Sequence, residues 1–156
     1  MTAQTDHAHA HEDLPAIDVI VADANRWATD QLLARATAVL EPSTERVLRL
    51  SRVPGCFELP VACRWALEAG SRGIVVLGAV ISDGTAHGAQ LADAVTTSLA
   101  VMSGETGVPI AFGVLTVDTP DEALDRIGTP QSRWDKGRDA ALALEAMLEN
   151  SPRTAC

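Results

Sequence analysis

Apolar residues fall along this chain in two alternating rhythms. Residues 17–21, 73–80 and 110–115 are short, nearly continuous apolar runs, the pattern of strands buried on both faces. Residues 46–53 alternate apolar and polar side chains, as a strand with two different faces does. Between these runs the spacing changes to that of helices over residues 25–40, 59–69, 87–104, 120–127 and 135–150. Pro120 followed by acids marks the start of the fourth helix, and the last is rich in alanine and leucine. The linkers are short and no internal repeat is present. Strand–helix alternation of this kind predicts an α/β protein with a parallel sheet covered by helices on both faces.

Composition narrows the picture. The chain has 156 residues, enough for one domain with a real core, and 47% of them are hydrophobic. No apolar run reaches the length that spans a bilayer, so a membrane role is not expected. Net charge is −9, which argues against a general nucleic-acid surface. Residues 1–13 are polar, lack the basic start and apolar stretch of a secretory signal, and are expected to be a disordered tail. Its His7, His9 and His11 read as a solvated tract rather than a metal site, and residues 151–156 read as a second tail around a domain at 14–150. Three cysteines, Cys56, Cys63 and Cys156, are an odd number without metal-type spacing, as expected in a reducing cytoplasm. Cys56 has no second histidine to activate it as a nucleophile.

In open α/β sheets ligands bind beyond the carboxyl ends of the strands. The unusual local sequences are expected at those ends: Asn25-Arg26-Trp27 after the first strand, residues 53–60 after the second, residues 82–87 after the third, and Thr116 and then Arg126 after the fourth. Aromatics are scarce, with two phenylalanines and no tyrosine, and Phe57 and Phe112 both fall in these regions. His87 is the only histidine outside the first 13 residues, and it sits where a glycine-containing turn opens a helix. Such a turn offers backbone N–H groups to an anion, and an imidazole beside it can move protons near neutral pH.

Four segments in the same order and spacing resemble the lumazine synthase family. They are Val53-Pro54-Gly55-Cys56-Phe57-Glu58-Leu59-Pro60; Gly78-Ala79-Val80-Ile81 followed by Gly84-Thr85-Ala86-His87; residues 107–116; and Glu122-Ala123 with Arg126, then Lys136-Gly137. The resemblance covers residues 16–149. It implies a three-layer α/β/α sandwich with a four-stranded parallel sheet in the flavodoxin-like order 2-1-3-4. It also implies the condensation of 5-amino-6-(D-ribitylamino)uracil with 3,4-dihydroxy-2-butanone 4-phosphate, without metal or organic cofactor. Trp27 takes the place of an aromatic that stacks on the pyrimidine. Glu58, with groups of Cys56, Phe57, Val80 and Ile81, takes the pyrimidine and its ribityl chain. Gly84 and Thr85 bind phosphate, and His87 carries protons. Phe112, Lys136 and the phosphate-binding Arg126 come from a neighbouring subunit, so the resemblance implies a homopentamer, with riboflavin synthase as a candidate partner. Read alone, Arg126 is an exposed helix arginine, and only the motif raises it.

The chain departs from the family pattern at several points. Ser82-Asp83 stands where Arg-Gly or Lys-Gly is common, and Asp83 brings a negative charge toward a phosphate site. Ala89 replaces an acid, Trp27-Ala28 replaces Phe-Asn, and Trp134-Asp135 replaces Gly-Asn, with the segment after Arg126 one residue longer. Asp83 and Ala89 leave room for a non-catalytic relative that binds a lumazine or flavin, or serves in assembly. A flavodoxin-type electron carrier fits less well, because its phosphate loop belongs after the first strand. Some members of the family assemble pentamers into decamers or hollow shells of sixty; Pro15 and Pro130 argue against the shell. The aliphatic stripe Leu91, Val95, Leu99 and Met102 reads either as subunit contact or as core.

Overall fold

The computed structural model describes residues 14–152. The expectations for the tail at 1–13, its three histidines and Cys156 lie outside the described residues. Four strands, β1 (Ala16–Ala22), β2 (Val47–Val53), β3 (Gly73–Ile81) and β4 (Ile110–Val117), form one parallel sheet in the order β2-β1-β3-β4. The helices are α1 (Arg26–Leu40), α2 (Leu59–Glu68), α3 (Ala86–Thr106), α4 (Pro120–Leu124) and α5 (Lys136–Glu149). No helix among the described residues is long and apolar enough to cross a membrane.

Two cores, one on each face of the sheet, make three layers. Ile17, Val19, Val21, Val75, Leu77 and Leu115 pack against α1 and α5. Ile20, Val76, Val80 and Val114 pack against α2 and α3. Alternate residues of each strand therefore enter opposite cores, as strand geometry requires. β1 and β3 lie in the middle of the sheet and are buried almost throughout. That burial is why they read as continuous apolar runs. The one charge inside β1, Asp18, accepts two hydrogen bonds from the guanidinium of Arg49, its register partner on β2, at 3.1 and 2.6 Å. A buried carboxylate is tolerable only with such a partner.

The stripe Leu91, Val95, Leu99 and Met102 proves to be core. Val95 and Leu99 are fully buried, and Leu91 and Met102 pack beside them on the sheet. The fourth predicted helix is shorter than its sequence pattern suggests, ending at Leu124. Asp125 ties the following chain into a different shape, accepting from the backbone N–H and the guanidinium of Arg133. Gly128 then takes a left-handed φ of 74°, and Ile127 pairs antiparallel with Asp135.

Candidate functional site

Each strand's carboxyl end hands the chain to a loop whose shape is fixed by identifiable contacts. After β1, Asn25 adopts a left-handed φ of 56° and starts α1. Its carbonyl accepts the first helical bonds from Ala28 and Thr29, and its side-chain amide donates to the Ala79 carbonyl on β3 at 2.9 Å. Arg52 at the end of β2 bridges Asp23 (2.8 Å) and Asp30 (2.7 Å), locking the turn from outside. That hydrogen bond holds the Asp30 carboxyl below the usual carboxylate range. Trp27, in the first turn of α1, is thereby presented on a fixed backbone and remains 47% exposed. Neither the left-handed Asn25 nor the Arg52 clamp is foreseen in the sequence. The only available signal was an asparagine directly before a helix start.

After β2, residues Cys56–Glu58 make a single 3-10 turn that leads into α2. A Cβ on Gly55 would stand 3.2 Å from a Glu58 carboxylate oxygen, so that carboxylate folds back over the glycine. Phe57 projects outward, 72% exposed, while Cys56 is buried. The Cys56 thiol packs against Gly78, where a Cβ would meet its sulfur at 2.6 Å. Burial pushes the Cys56 thiol up to about 11, and Cys63 behind it up to about 12. Both are therefore protonated and inert at neutral pH, in keeping with the absence of an activating base. Cys56 can serve a ligand only through its backbone.

After β3, Val80 is buried and Ile81 half-buried at the strand's end. Asp83 (φ 46°) and Gly84 (φ 74°) are both left-handed, and the turn closes with the Thr85 N–H on the Ser82 carbonyl at 2.8 Å. Two consecutive positive φ values favour Asp-Gly, which gives Asp83 a conformational reason for its place. It lies exposed, where solvent screens its charge. The Thr85 hydroxyl donates to the Ser82 carbonyl at 2.7 Å and makes no cap bond to α3. The first turn of α3 thus carries no side-chain cap, a geometry that suits an anion, and His87 is exposed within it. Gly88 allows the helix to sit on this loop, since a Cβ there would come 3.0 Å from the Ser82 Cα. Ser82 also donates to Asp118 at 2.7 Å, which joins the loop to the end of β4.

The remaining predicted residues gather separately. Phe112 is not at the carboxyl edge as its sequence position suggests. It is the third residue of β4, opposite Val76, while Thr116 pairs with Val80 at the edge. Four residues of strand place them roughly 13 Å apart. Gly107–Pro109 delays the start of β4, so the aromatic falls early in the strand. Its partner is Lys136, whose ammonium lies 5.8 Å from the ring centroid. The Lys136 N–H donates to the Arg126 carbonyl at 2.9 Å, and Arg126 donates to the Glu122 carbonyl at 2.7 Å. Thr116, Arg126, Trp134, Lys136 and Asp139 line an open cleft of about 480 Å³. One chain therefore carries two groups: Trp27, Cys56, Phe57, Glu58, Val80, Ile81, Gly84, Thr85 and His87 around the ends of β1–β3, and Phe112, Arg126 and Lys136 along β4 and α5. Among the described residues no cluster of three metal-ligating side chains comes together.

A parallel α/β sheet with an uncapped helix start, a histidine beside it and a cleft holding an arginine and a lysine is an arrangement suited to small anionic molecules. The chain matches the family model described as 6,7-dimethyl-8-ribityllumazine synthase over residues 15–151, and it belongs to that family. It is 46% identical over 125 residues to the 6,7-dimethyl-8-ribityllumazine synthase of Clavibacter sepedonicus, covering 77% of this chain and 76% of that one. It is 48% identical over 123 residues to the enzyme of the same name from Kineococcus radiotolerans, with the same coverage. The similarly named protein of Streptomyces coelicolor is 50% identical over 97 residues, 62% of this chain and 60% of the other.

Proposed function

We propose that this chain condenses 5-amino-6-(D-ribitylamino)uracil with 3,4-dihydroxy-2-butanone 4-phosphate to 6,7-dimethyl-8-ribityllumazine, with loss of phosphate and water, as a step of riboflavin biosynthesis in the cytoplasm. The observation that carries this reading is the family match over residues 15–151, nearly the whole described fold. The domain at 14–150 carries the activity. Trp27 stacks on the pyrimidine, and Glu58 with backbone groups at Cys56, Phe57, Val80 and Ile81 holds the ring and the ribityl chain. The loop at Gly84 and Thr85, with the first-turn amides of α3, takes the phosphate, and Arg126 pairs with it from the adjacent subunit. His87 moves protons as the amine and ketone form an imine, as phosphate leaves and as the second ring closes. Holding the two substrates together supplies much of the acceleration. The Asp83 departure, a turn requirement, does not argue for the non-catalytic alternative.

The separation of the two residue groups supports a homopentamer with sites shared between neighbours. So does the outward stripe Phe57, Val61 and Trp65 on and before α2, exposed 72%, 45% and 63% at a helical spacing of four. Riboflavin synthase, which would consume the product, is a candidate partner. The direct test mixes the purified full chain with both substrates and follows lumazine fluorescence. Enzyme-dependent product well above the uncatalysed rate is expected, and a rate equal to that without protein would overturn the proposal.

A further inference from the structure

Trp134 stands in the basic cleft where the family motif has a glycine, and none of the roles above uses it. Its indole is 62% exposed, yet its backbone is fixed on both sides. The Trp134 N–H donates to the Asp125 carbonyl at 3.0 Å, and its own carbonyl accepts from the Gly128 N–H at 3.0 Å. The next residue, Asp135, is pinned by its bridge to Ile127 and by the Arg35 guanidinium at 2.6 Å. A large ring held in water on an ordered backbone can be covered at little entropic cost, because the segment is already fixed.

The other lining groups say what would cover it. Arg126 and Lys136 supply cationic donors to the same cleft, Thr116 a hydroxyl, and Asp139 one opposing carboxylate. Free phosphate would use the cations and gain nothing from an indole. An aliphatic chain would use the indole and leave the cations unpaired. A planar ring bearing carbonyl oxygens satisfies both, its face on the indole and its oxygens on the Lys136 ammonium, while Arg126 keeps the phosphate.

We infer that Trp134 is a specificity-determining residue whose indole stacks on the dione ring of the pyrimidine substrate and of the lumazine product. This rests on the proposed function, and Trp27 of the adjacent subunit then takes the opposite face of the same ring. The experiment is calorimetric titration of the full-length chain with 6,7-dimethyl-8-ribityllumazine and, separately, with inorganic phosphate. W134A should weaken lumazine binding about tenfold, in the range of a lost aromatic stacking partner, and leave phosphate binding unchanged. W134F should keep most of the affinity, whereas W134L, which keeps an apolar side chain without a ring, should behave like W134A. Lumazine affinity unchanged in W134A while the parent chain binds normally would overturn this inference alone. So would equal weakening toward phosphate, or a change of assembly mass in W134A, which would mean that a second copy of the chain covers the indole. A parent chain that neither binds nor forms the lumazine would overturn the proposed function and this inference with it.

Discussion

His87, proposed above as the proton carrier, is exposed at the second position of α3 beside first-turn amides that the Thr85 hydroxyl does not cap. In the proposed mechanism it would act at more than one step. Replacing it with alanine should lower turnover by up to about 10² to 10³, the usual contribution of a positioned acid–base group. The lower end is expected, since amine and ketone condense readily once held together. Turnover of H87A at saturating substrates, beside phosphate binding by the same variant, checks this; unchanged turnover removes His87 from the mechanism. The two buried cysteines make the opposite case. Burial raises Cys56 to about 11 and Cys63 to about 12 from an ordinary 9.0, so the folded state favours the protonated thiols. Their contribution to stability is complete below pH 9 and is lost as pH climbs toward those raised values. Native protein at pH 8 should resist alkylation at both positions, as read by peptide mass mapping, and urea midpoints should fall between pH 9 and 11. Rapid labelling of Cys56 in folded protein would contradict its packing against Gly78.

At the scale of elements, the segment joining α4 to α5 decides where Arg126 and Lys136 stand. Asp135 caps α5 by accepting from the Arg138 N–H at 3.0 Å and receives Arg35 of α1 at 2.6 Å. Gly128 is left-handed, and a Cβ there would meet the Asp135 carboxyl carbon at 2.5 Å. Replacing Asp135 with alanine should cost about 1–2 kcal/mol, the range of a lost N-cap with its ion pair. D135N should keep most of the cap. G128A should cost a similar amount in the parent chain and less in the D135A background, where the obstructing carboxylate is gone. Denaturation midpoints of the three single variants and the double variant test this, and strict additivity would refute the coupling. Gly137 is constrained more severely, because a Cβ there would strike the Leu32 carbonyl oxygen where α5 crosses α1. Much of this architecture was legible in the sequence. The apolar runs at 17–21 and 73–80 located the central strands because both are buried on two faces. Other features were hidden. Pro120 and its acids announced a helix start truthfully, but its end depends on Asp125 meeting Arg133 eight residues away, which local periodicity does not encode. The edge residue Phe112 was misplaced because strand length, not composition, sets its depth. Asp83 looked like an electrostatic fault until its left-handed φ gave it a steric purpose.

Across the whole molecule, the proposed site divides between two groups of residues in one chain. The pyrimidine-side group surrounds the ends of β1, β2 and β3, the two interior strands and the edge strand opposite β4. Phe112, on the edge strand β4 and packed partly against the α2–α3 core, meets Lys136 at the start of α5, roughly 13 Å down the strand from that end. On the proposed reading, a second copy brings its own Phe112, Arg126 and Lys136 to the first copy's loops. A closed ring satisfies every copy equally, because each gives one surface and receives the other. The apolar stripe Phe57, Val61 and Trp65, beginning within the pyrimidine-side loop itself, is the surface such a neighbour would cover. Larger shells are disfavoured by Pro15, which precedes β1 and cannot donate to an added strand, and which already gives its carbonyl to the Val47 N–H at 3.0 Å. Light scattering coupled to size exclusion should therefore find one species near five times the 16.4 kDa chain mass. Replacing Trp65 with glutamate, which places charge on the stripe without touching either residue group, should shift that species toward monomer and abolish turnover together. A monomeric parent chain with full turnover would refute the shared site. A particle of megadalton mass would refute only the argument from Pro15, leaving the pairing of adjacent chains intact.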